Sequence, residues 1–170
     1  VNLSPLQLKK RGLARTVVNA LVTSGLSPQR LILEVTESVL LSDSDITRDV
    51  LNDLRVLGVR IALDDFGAGY SSLTYLQQFQ FDCVKIDRTF ISGKEQGNIN
   101  VAVINAVVGL GRDLGIAIIA EGVETEAQMD WLKAMGCDQA QGYFLGRPLP
   151  ASEWPQLNPN SRTEDGKRCA

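Results

Sequence analysis

Short apolar runs in this sequence end in polar side chains that could hold a metal ion or move a proton. Asp64 and Asp65 follow directly on the apolar run at residues 60–63. Two adjacent carboxylates repel each other, and a cation bound between them would offset that repulsion. Five further apolar runs end in an acid, an amide or a lysine: Asn2, Glu34 with Glu37, Lys85 with Asp87, Glu121 with Glu124, and Gln141.

The residue types that are absent narrow the chemistry further. The 170 residues contain no histidine, which excludes histidine bases and histidine zinc ligands. Cys83, Cys137 and Cys169 are widely spaced and form no paired-cysteine motif, so we expect a reducing, cytoplasmic setting. Oxygen ligands alone suit a hard cation, Mg²⁺ or Mn²⁺. Two such ions could clamp the attacking and leaving oxygens of a phosphodiester.

Each of these side chains also has a structural interpretation. An acid at a strand end can cap the next helix, although this explains one residue better than it explains all six strand ends. Lys85 could be an ion-paired structural lysine, or it could orient a nucleophilic water and stabilise transition-state charge. The glycine-rich segment at residues 67–73 could be a loop that orders when a metal or substrate binds.

The elements that must position these side chains alternate between strands and helices. Apolar runs predict strands at residues 1–3, 31–35, 60–63, 83–86, 116–120 and 139–141, with a loop from Asp65 to Ser71. Helices are predicted over residues 5–23, 45–57, 72–79, 101–114 and 125–135, and Ser4 with Gln7 and Thr125 with Gln128 form capping boxes. This alternation indicates an α/β fold with mainly parallel strands, either a doubly wound sheet or a (β/α) barrel. A complete barrel has eight units, so this chain would be an incomplete one with about six.

The composition of the chain limits the number of domains it can form and the partners it can bind. Hydrophobic residues make up 44% of the chain, enough for one domain, which we place at residues 1–154, followed by a polar, disordered tail at 155–170. The net charge of −3 argues against DNA or RNA as a partner, because nucleic-acid binding rewards clustered positive charge. No apolar run approaches the length that spans a bilayer, so we expect no membrane contact.

Six ordered motifs resemble the EAL domain of bacterial cyclic di-GMP phosphodiesterases. The motifs are Val1-Asn2-Leu3-Ser4, Leu33-Glu34-Val35-Thr36-Glu37, Asp64-Asp65-Phe66-Gly67 with Gly69-Tyr70-Ser71-Ser72-Leu73, Lys85-Ile86-Asp87, Ala120-Glu121-Gly122-Val123-Glu124 and Gln141-Gly142-Tyr143-Phe144. The resemblance runs from Val1 to about Trp154. It implies a TIM-like barrel and hydrolysis of cyclic di-GMP to linear pGpG.

The resemblance also implies a site with two Mg²⁺ or Mn²⁺ ions. Asn2, Glu34 and Asp64 would be ligands of the first ion. Asp65 would bind the second ion or bridge the two. Glu121 would be the general base or a further carboxylate of the metal site.

The remaining matched residues would support that site. Lys85 would position the attacking water, Asp87 would support the cluster, and Gln141 would line the substrate site. Glu37 would brace the loop that follows Asp65 and link it to metal binding and dimerisation. The loop residues concerned are Gly67, Gly69 and Ser71.

The sequence departs from the family at the motif that gives the family its name. No Glu-Ala-Leu occurs here, and its glutamate is a metal ligand in the family. We therefore expect the first two βα units to be missing, which leaves open strand edges and favours a homo-oligomer. Three hypotheses stay open: a phosphodiesterase, inactive alone if that glutamate is essential; a non-catalytic module that binds cyclic di-GMP; and an interaction fragment without a ligand.

Overall fold

The structure is a computed structural model that describes residues 1–10, 12–40, 45–67, 75–76, 78–92 and 97–153. The strands are β1 (Ile32–Thr36), β2 (Arg60–Phe66), β3 (Cys83–Ile86), β4 (Ala117–Glu121) and β5 (Gln139–Gln141). The helices are α1 (Pro5–Leu8), α2 (Leu13–Ser24), α3 (Glu37–Leu40), α4 (Asp45–Val56), α5 (Thr89–Ser92), α6 (Gly97–Leu114) and α7 (Glu126–Met135). Short 3₁₀ turns lie at Pro28–Arg30 and Ala151–Glu153.

The five strands form one parallel sheet in the order β1-β2-β3-β4-β5. Each strand pairs with the one before it in the chain, and helices lie between β1 and β2, between β3 and β4 and between β4 and β5. This arrangement confirms the predicted α/β fold with parallel strands. The predicted first strand is a single parallel bridge from Asn2 to Glu34, flanked by the hydrogen bond from Leu3 N to Glu34 O at 2.8 Å. The predicted homo-oligomer through strand edges stays a prediction.

Side chains alternate between the two faces of the sheet. Apolar residues of one face, such as Val35, Leu63 and Ala120, are fully buried in the hydrophobic core. The helix α4 covers this core with Val50, Leu51 and Leu54, which share one helical face. Glu34, Asp64 and Lys85 occupy the alternate positions and therefore point to the other face. No helix in the described part of the chain is long and apolar enough to cross a membrane.

Both predicted capping boxes are present. The Ser4 and Thr125 side chains accept hydrogen bonds from the backbone N–H groups of Gln7 and Gln128. The helix predicted over residues 5–23 is wrong in one respect, because it is broken between α1 and α2. Gly12 enters α2 with φ +111°, a conformation that favours glycine and interrupts the helix.

The structure differs from the predicted elements at two further places near the site. The loop predicted from Asp65 is wrong at its start, because β2 continues through Asp65 to Phe66. The register between β2 and β3 shifts between Leu63 and Phe66, a bulge that the apolar pattern does not reveal. The four-residue helices α3 and α5 were not predicted, since four residues carry no helical period. The predicted tail and half of the predicted helix over residues 72–79 lie outside the described residues.

Candidate active site

Lys85 lies at the centre of a buried cluster of carboxylates. Its Nζ lies 2.6 Å from Glu121 Oε1 and 3.1 Å from both Glu34 Oε2 and Asp64 Oδ1. Only 5% of Lys85 is exposed to solvent. The three carboxylates come from β1, β2 and β4 and the ammonium from β3, so four neighbouring strands each contribute one charged group.

The parallel sheet explains why these groups meet. Parallel strands carry their carboxyl ends to the same edge, where sites of α/β folds are built. Glu34, Asp64 and Lys85 each alternate with core residues along their strands, and therefore project from the face opposite the core. The structure brings together at this edge the acids and the lysine that the sequence placed at separate strand ends.

The charges of the cluster are not balanced. Three carboxylates surround one ammonium, which leaves two negative charges without a partner in the cluster. Burial by itself lowers the pKa of Lys85, but hydrogen bonds to Glu121 and Asp64 outweigh burial and the pKa is raised. Burial raises the pKa of Glu121, and the ion pair with Lys85 offsets that effect only in part.

Asp64 and Asp65 add to the negative charge. Asp65 N–H donates to Asp64 Oδ1 at 3.1 Å, and φ of Asp65 is +55°, a strained value for a residue with a side chain. Burial, then the charges of Asp64 and Asp87, raises the pKa of Asp65. One ligand atom each of Asp64, Asp65 and Glu121 lies within 4.8 Å of the others. This spacing fits a divalent cation between them.

Asn2 completes the donor set. When its amide nitrogen faces the cluster, it donates to Glu34 Oε2 and Asp64 Oδ2, both at 3.3 Å. When its amide oxygen faces the cluster, it offers a neutral ligand to a cation. The cluster thus consists of oxygen donors with excess negative charge, which fits Mg²⁺ or Mn²⁺ and not a soft metal.

Glu37 links the site to the segment that follows β2. Its Oε1 accepts a hydrogen bond from Gly67 N at 3.0 Å, and the residue is only 7% exposed. Gly67 has φ +94°, and a Cβ there would lie 2.7 Å from the ring of Phe90. The hydrogen bond between Gly67 and Glu37 supports the expectation that Glu37 braces the segment after β2, and this role stays a prediction. Gly69 and Ser71 lie outside the described residues.

Asp87 and Gln141 lie at the margin of the cluster. Asp87 Oδ1 accepts hydrogen bonds from Thr89 N at 2.9 Å and Thr89 Oγ1 at 2.6 Å, and so caps α5. Burial raises the pKa of Asp87, but these two bonds outweigh burial and the pKa is lowered. Thr89 was not singled out from the sequence, although an acid two residues before a threonine is a typical cap. Gln141 is exposed and pairs in register with Glu121.

A comparison with known protein families shows which family contains a site of this kind. The sequence model of the EAL domain matches residues 1–148. This chain belongs to the EAL domain family. The EAL match confirms the resemblance seen in the six motifs, and the parallel α/β sheet, with five strands described, agrees with the TIM-like barrel that the resemblance implies.

Curated relatives share the EAL domain within longer proteins. The chain is 48% identical over 153 residues to the bifunctional diguanylate cyclase/cyclic di-GMP phosphodiesterase MucR of Pseudomonas aeruginosa, covering 90% of this chain and 22% of MucR. It is 42% identical over 149 residues to the cyclic di-GMP phosphodiesterase RocR of the same organism, covering 88% of this chain and 38% of RocR. The chain thus spans less than two fifths of either relative.

Solved EAL structures resemble the chain closely. The MucR phosphodiesterase in complex with cyclic di-GMP has a TM-score of 0.82 at 49% identity, covering 89% of this chain and 62% of that structure. Klebsiella pneumoniae BlrP1, solved with manganese and cyclic di-GMP, has a TM-score of 0.80 at 36% identity, covering 87% of this chain and 38% of that structure.

Proposed function

We propose that this EAL domain hydrolyses one phosphodiester of cyclic di-GMP to give linear pGpG, using two divalent cations. The observation that carries the proposal is the convergence of Glu34, Asp64 and Glu121 on Lys85, with Asp65 beside them. A purely structural ion pair needs one carboxylate for each ammonium, and this cluster has an excess of acids. The cyclic di-GMP complexes of MucR and BlrP1 identify the dinucleotide as the substrate to test.

The oxygen donors divide into two groups. Glu34 and Asp64 would hold one ion together with Asn2, whose amide lies 3.3 Å from an oxygen of each carboxylate. Asp65, whose ligand atom lies close to those of Asp64 and Glu121, would hold the second ion or bridge to it. Bound ions would lower the pKa of a coordinated water and stabilise negative charge on the phosphate.

The side chains of the chain would then orient the water and move its proton. The Lys85 ammonium can donate three hydrogen bonds, so it can orient the attacking water and stabilise charge that develops on the phosphate. The raised pKa of Glu121 favours it as the acceptor of the water proton. As the water oxygen bonds to phosphorus, the bond to the 3′ oxygen breaks and that oxygen takes up a proton. Gln141, beside Glu121, would contact the substrate with its amide.

Chromatography of pGpG after incubation with cyclic di-GMP and Mn²⁺ tests this proposal. We expect product from the wild-type chain and none from Asp64→Asn. Asp130→Asn is the matched control, because Asp130 is exposed and forms a surface ion pair with Lys133. Folded wild-type chain that forms no pGpG would contradict the proposal. Calorimetric titration with cyclic di-GMP would then separate a binding module from a fragment without a ligand.

A further inference from the structure

Backbone hydrogen bonds join two of the sequence motifs, Ala120–Glu124 and Gln141–Phe144, beyond the end of the sheet. Val123, which is fully buried, donates its N–H to Gln141 O and accepts at its carbonyl from Phe144 N, both at 3.0 Å. Gly142 lies between these two hydrogen bonds. We call Val123, Gly142 and Phe144 the clasp. The clasp joins the segment after β4 to the segment after β5, next to the register pair of Glu121 and Gln141.

The clasp requires glycine at position 142. A Cβ at Gly142 would lie 2.2 Å from both the N and the O of Val123. Both are backbone atoms of a buried residue, so they cannot move aside as the end of a flexible side chain can. The φ angle of Gly142 is not in the left-handed region, so the close approach is what demands glycine.

A second glycine makes the same kind of contact on the other side of β4. A Cβ at Gly122 would lie 2.5 Å from the Cβ of Arg88, which follows Asp87 beyond β3. Two glycines thus let the chain segments beyond β3, β4 and β5 approach each other closely. Glu121 directly precedes Gly122, and its carboxylate must come within 2.6 Å of Lys85 on β3.

We propose that Gly142 is a positioning residue, which sets the Glu121 carboxylate against Lys85 by way of the clasp. The inference rests on the proposed function for its catalytic meaning, but the Glu121–Lys85 geometry exists without any metal or substrate. A residue that pushes Val123 away from Gly142 would shift the end of β4, and the Glu121 side chain with it. Groups that orient metal-site side chains in this way typically contribute about 10- to 100-fold to metal affinity or activity.

The alternative is that Gly142 only supports overall stability, and Gly111 provides the matched control. Gly111 packs α6 against the amino end of the same strand, where a Cβ would lie 2.6 Å from Ile118 Cγ1 and 2.8 Å from Ile116 O. Alanine at either glycine therefore strains a contact of β4. Of these two glycines, only Gly142 packs against the segment that follows Glu121 at the carboxyl end of β4.

A double-mutant cycle in EDTA tests the positioning role without a metal. The change in Tm caused by Glu121→Gln is measured in the wild-type, Gly142→Ala and Gly111→Ala backgrounds. If the clasp positions Glu121, this change is much smaller in Gly142→Ala and is unaltered in Gly111→Ala, because only the first has already separated Glu121 from Lys85. Equal changes in all three backgrounds would overturn the proposal.

Mn²⁺ affinity and turnover are two further measurements, and a change in overall stability alone would not alter either of them. We expect Gly142→Ala to bind Mn²⁺ about tenfold more weakly and to lower kcat about tenfold with KM nearly unchanged, whereas Gly111→Ala keeps wild-type values. If the wild-type chain binds no Mn²⁺, the proposed function fails while the metal-free cycle still decides the role of Gly142. If Gly142→Ala does not fold, Phe144→Pro replaces it in the cycle, because it removes the N–H that Phe144 donates to Val123 O in the clasp. There too, equal changes would overturn the proposal.

Discussion

Lys85 Nζ and Glu121 Oε1 lie 2.6 Å apart on the neighbouring strands β3 and β4, the shortest of the three ion pairs that Lys85 makes. Because Lys85 is buried, this pair is screened little by solvent and depends on the geometry of the sheet. The same pair joins the one ammonium of the cluster to the carboxylate proposed to accept the water proton.

Replacing Lys85 with methionine should destabilise the metal-free chain strongly. The change leaves Glu34, Asp64 and Glu121 close together without a cation, and breaking a buried ion pair in this way costs about 3 kcal/mol or more. Urea unfolding in EDTA measures the free energy of unfolding. Lys133→Met is the control, because Lys133 is exposed and forms a surface ion pair with Asp130 at 3.4 Å. Equal stability of Lys85→Met and Lys133→Met would contradict the account.

Asp65→Asn should stabilise the metal-free chain at neutral pH while it abolishes turnover. The pKa of Asp65 is raised by burial first and then by the neighbouring acids, so the folded state binds protons more tightly than the unfolded state. Stability therefore falls as the pH rises through the window between the unfolded pKa and the raised folded pKa. Above that window, the asparagine variant avoids the cost of the charge.

The pH dependence of Tm distinguishes the effect of the Asp65 charge from the effect of the Asp65 backbone conformation. Asparagine also tolerates the left-handed backbone of Asp65 better than most residues, but that preference does not depend on pH. The difference in Tm between Asp65→Asn and wild type, measured in EDTA, should be larger at pH 7 than at pH 3. A difference that is the same at both values would show that the charge of Asp65 has no cost.

Glu37→Ala should lower both stability and activity, because it leaves the Gly67 N–H without its carboxylate acceptor. Loss of such a buried hydrogen bond costs about 2 kcal/mol. Glu37→Gln retains an acceptor oxygen and should keep most of the stability and turnover. Thermal unfolding and the pGpG assay measure the two effects, and equal losses in both variants would argue against a role for this hydrogen bond.

The thiols of Cys83 and Cys137 should react slowly in the folded chain. Burial raises the pKa of each thiol to about 11, so about one in a thousand is ionised at pH 8. Ellman's reagent, applied to a Cys169→Ser variant, should report slow labelling that becomes fast in urea. Labelling of the folded chain at the rate of the unfolded chain would contradict the burial of Cys83 and the partial burial of Cys137.

The sequence was sufficient to predict the order of the elements. Continuous apolar runs predicted four of the strands, and the capping boxes at Ser4 and Thr125 predicted where two helices begin. The break at Gly12 was visible as a glycine, but a helix interior tolerates glycine at a modest cost, so the pattern did not require a break. The helices α3 and α5 are too short for any periodicity to show.

The site was predictable in its members but not in its contacts. Polar ends of apolar runs identified Glu34, Asp64, Lys85 and Glu121, because parallel strands bring their carboxyl ends to one edge. The contact of the Lys85 ammonium with three carboxylates depends on the register of the sheet, which only the tertiary structure sets. The steric requirement at Gly142 likewise arises from a chain segment nearly 20 residues away.

A crystal structure of this chain grown with Mn²⁺ and measured at the manganese absorption edge tests the central claim most directly. The account predicts anomalous peaks bonded to carboxylate oxygens of Asp64 and Asp65, with Glu34, Glu121 and the Asn2 amide oxygen turned toward them. Soaking with cyclic di-GMP should place a phosphate beside the same peaks. Anomalous peaks elsewhere, or none in a chain that retains the Lys85 cluster, would contradict the assignment of these residues as a metal centre.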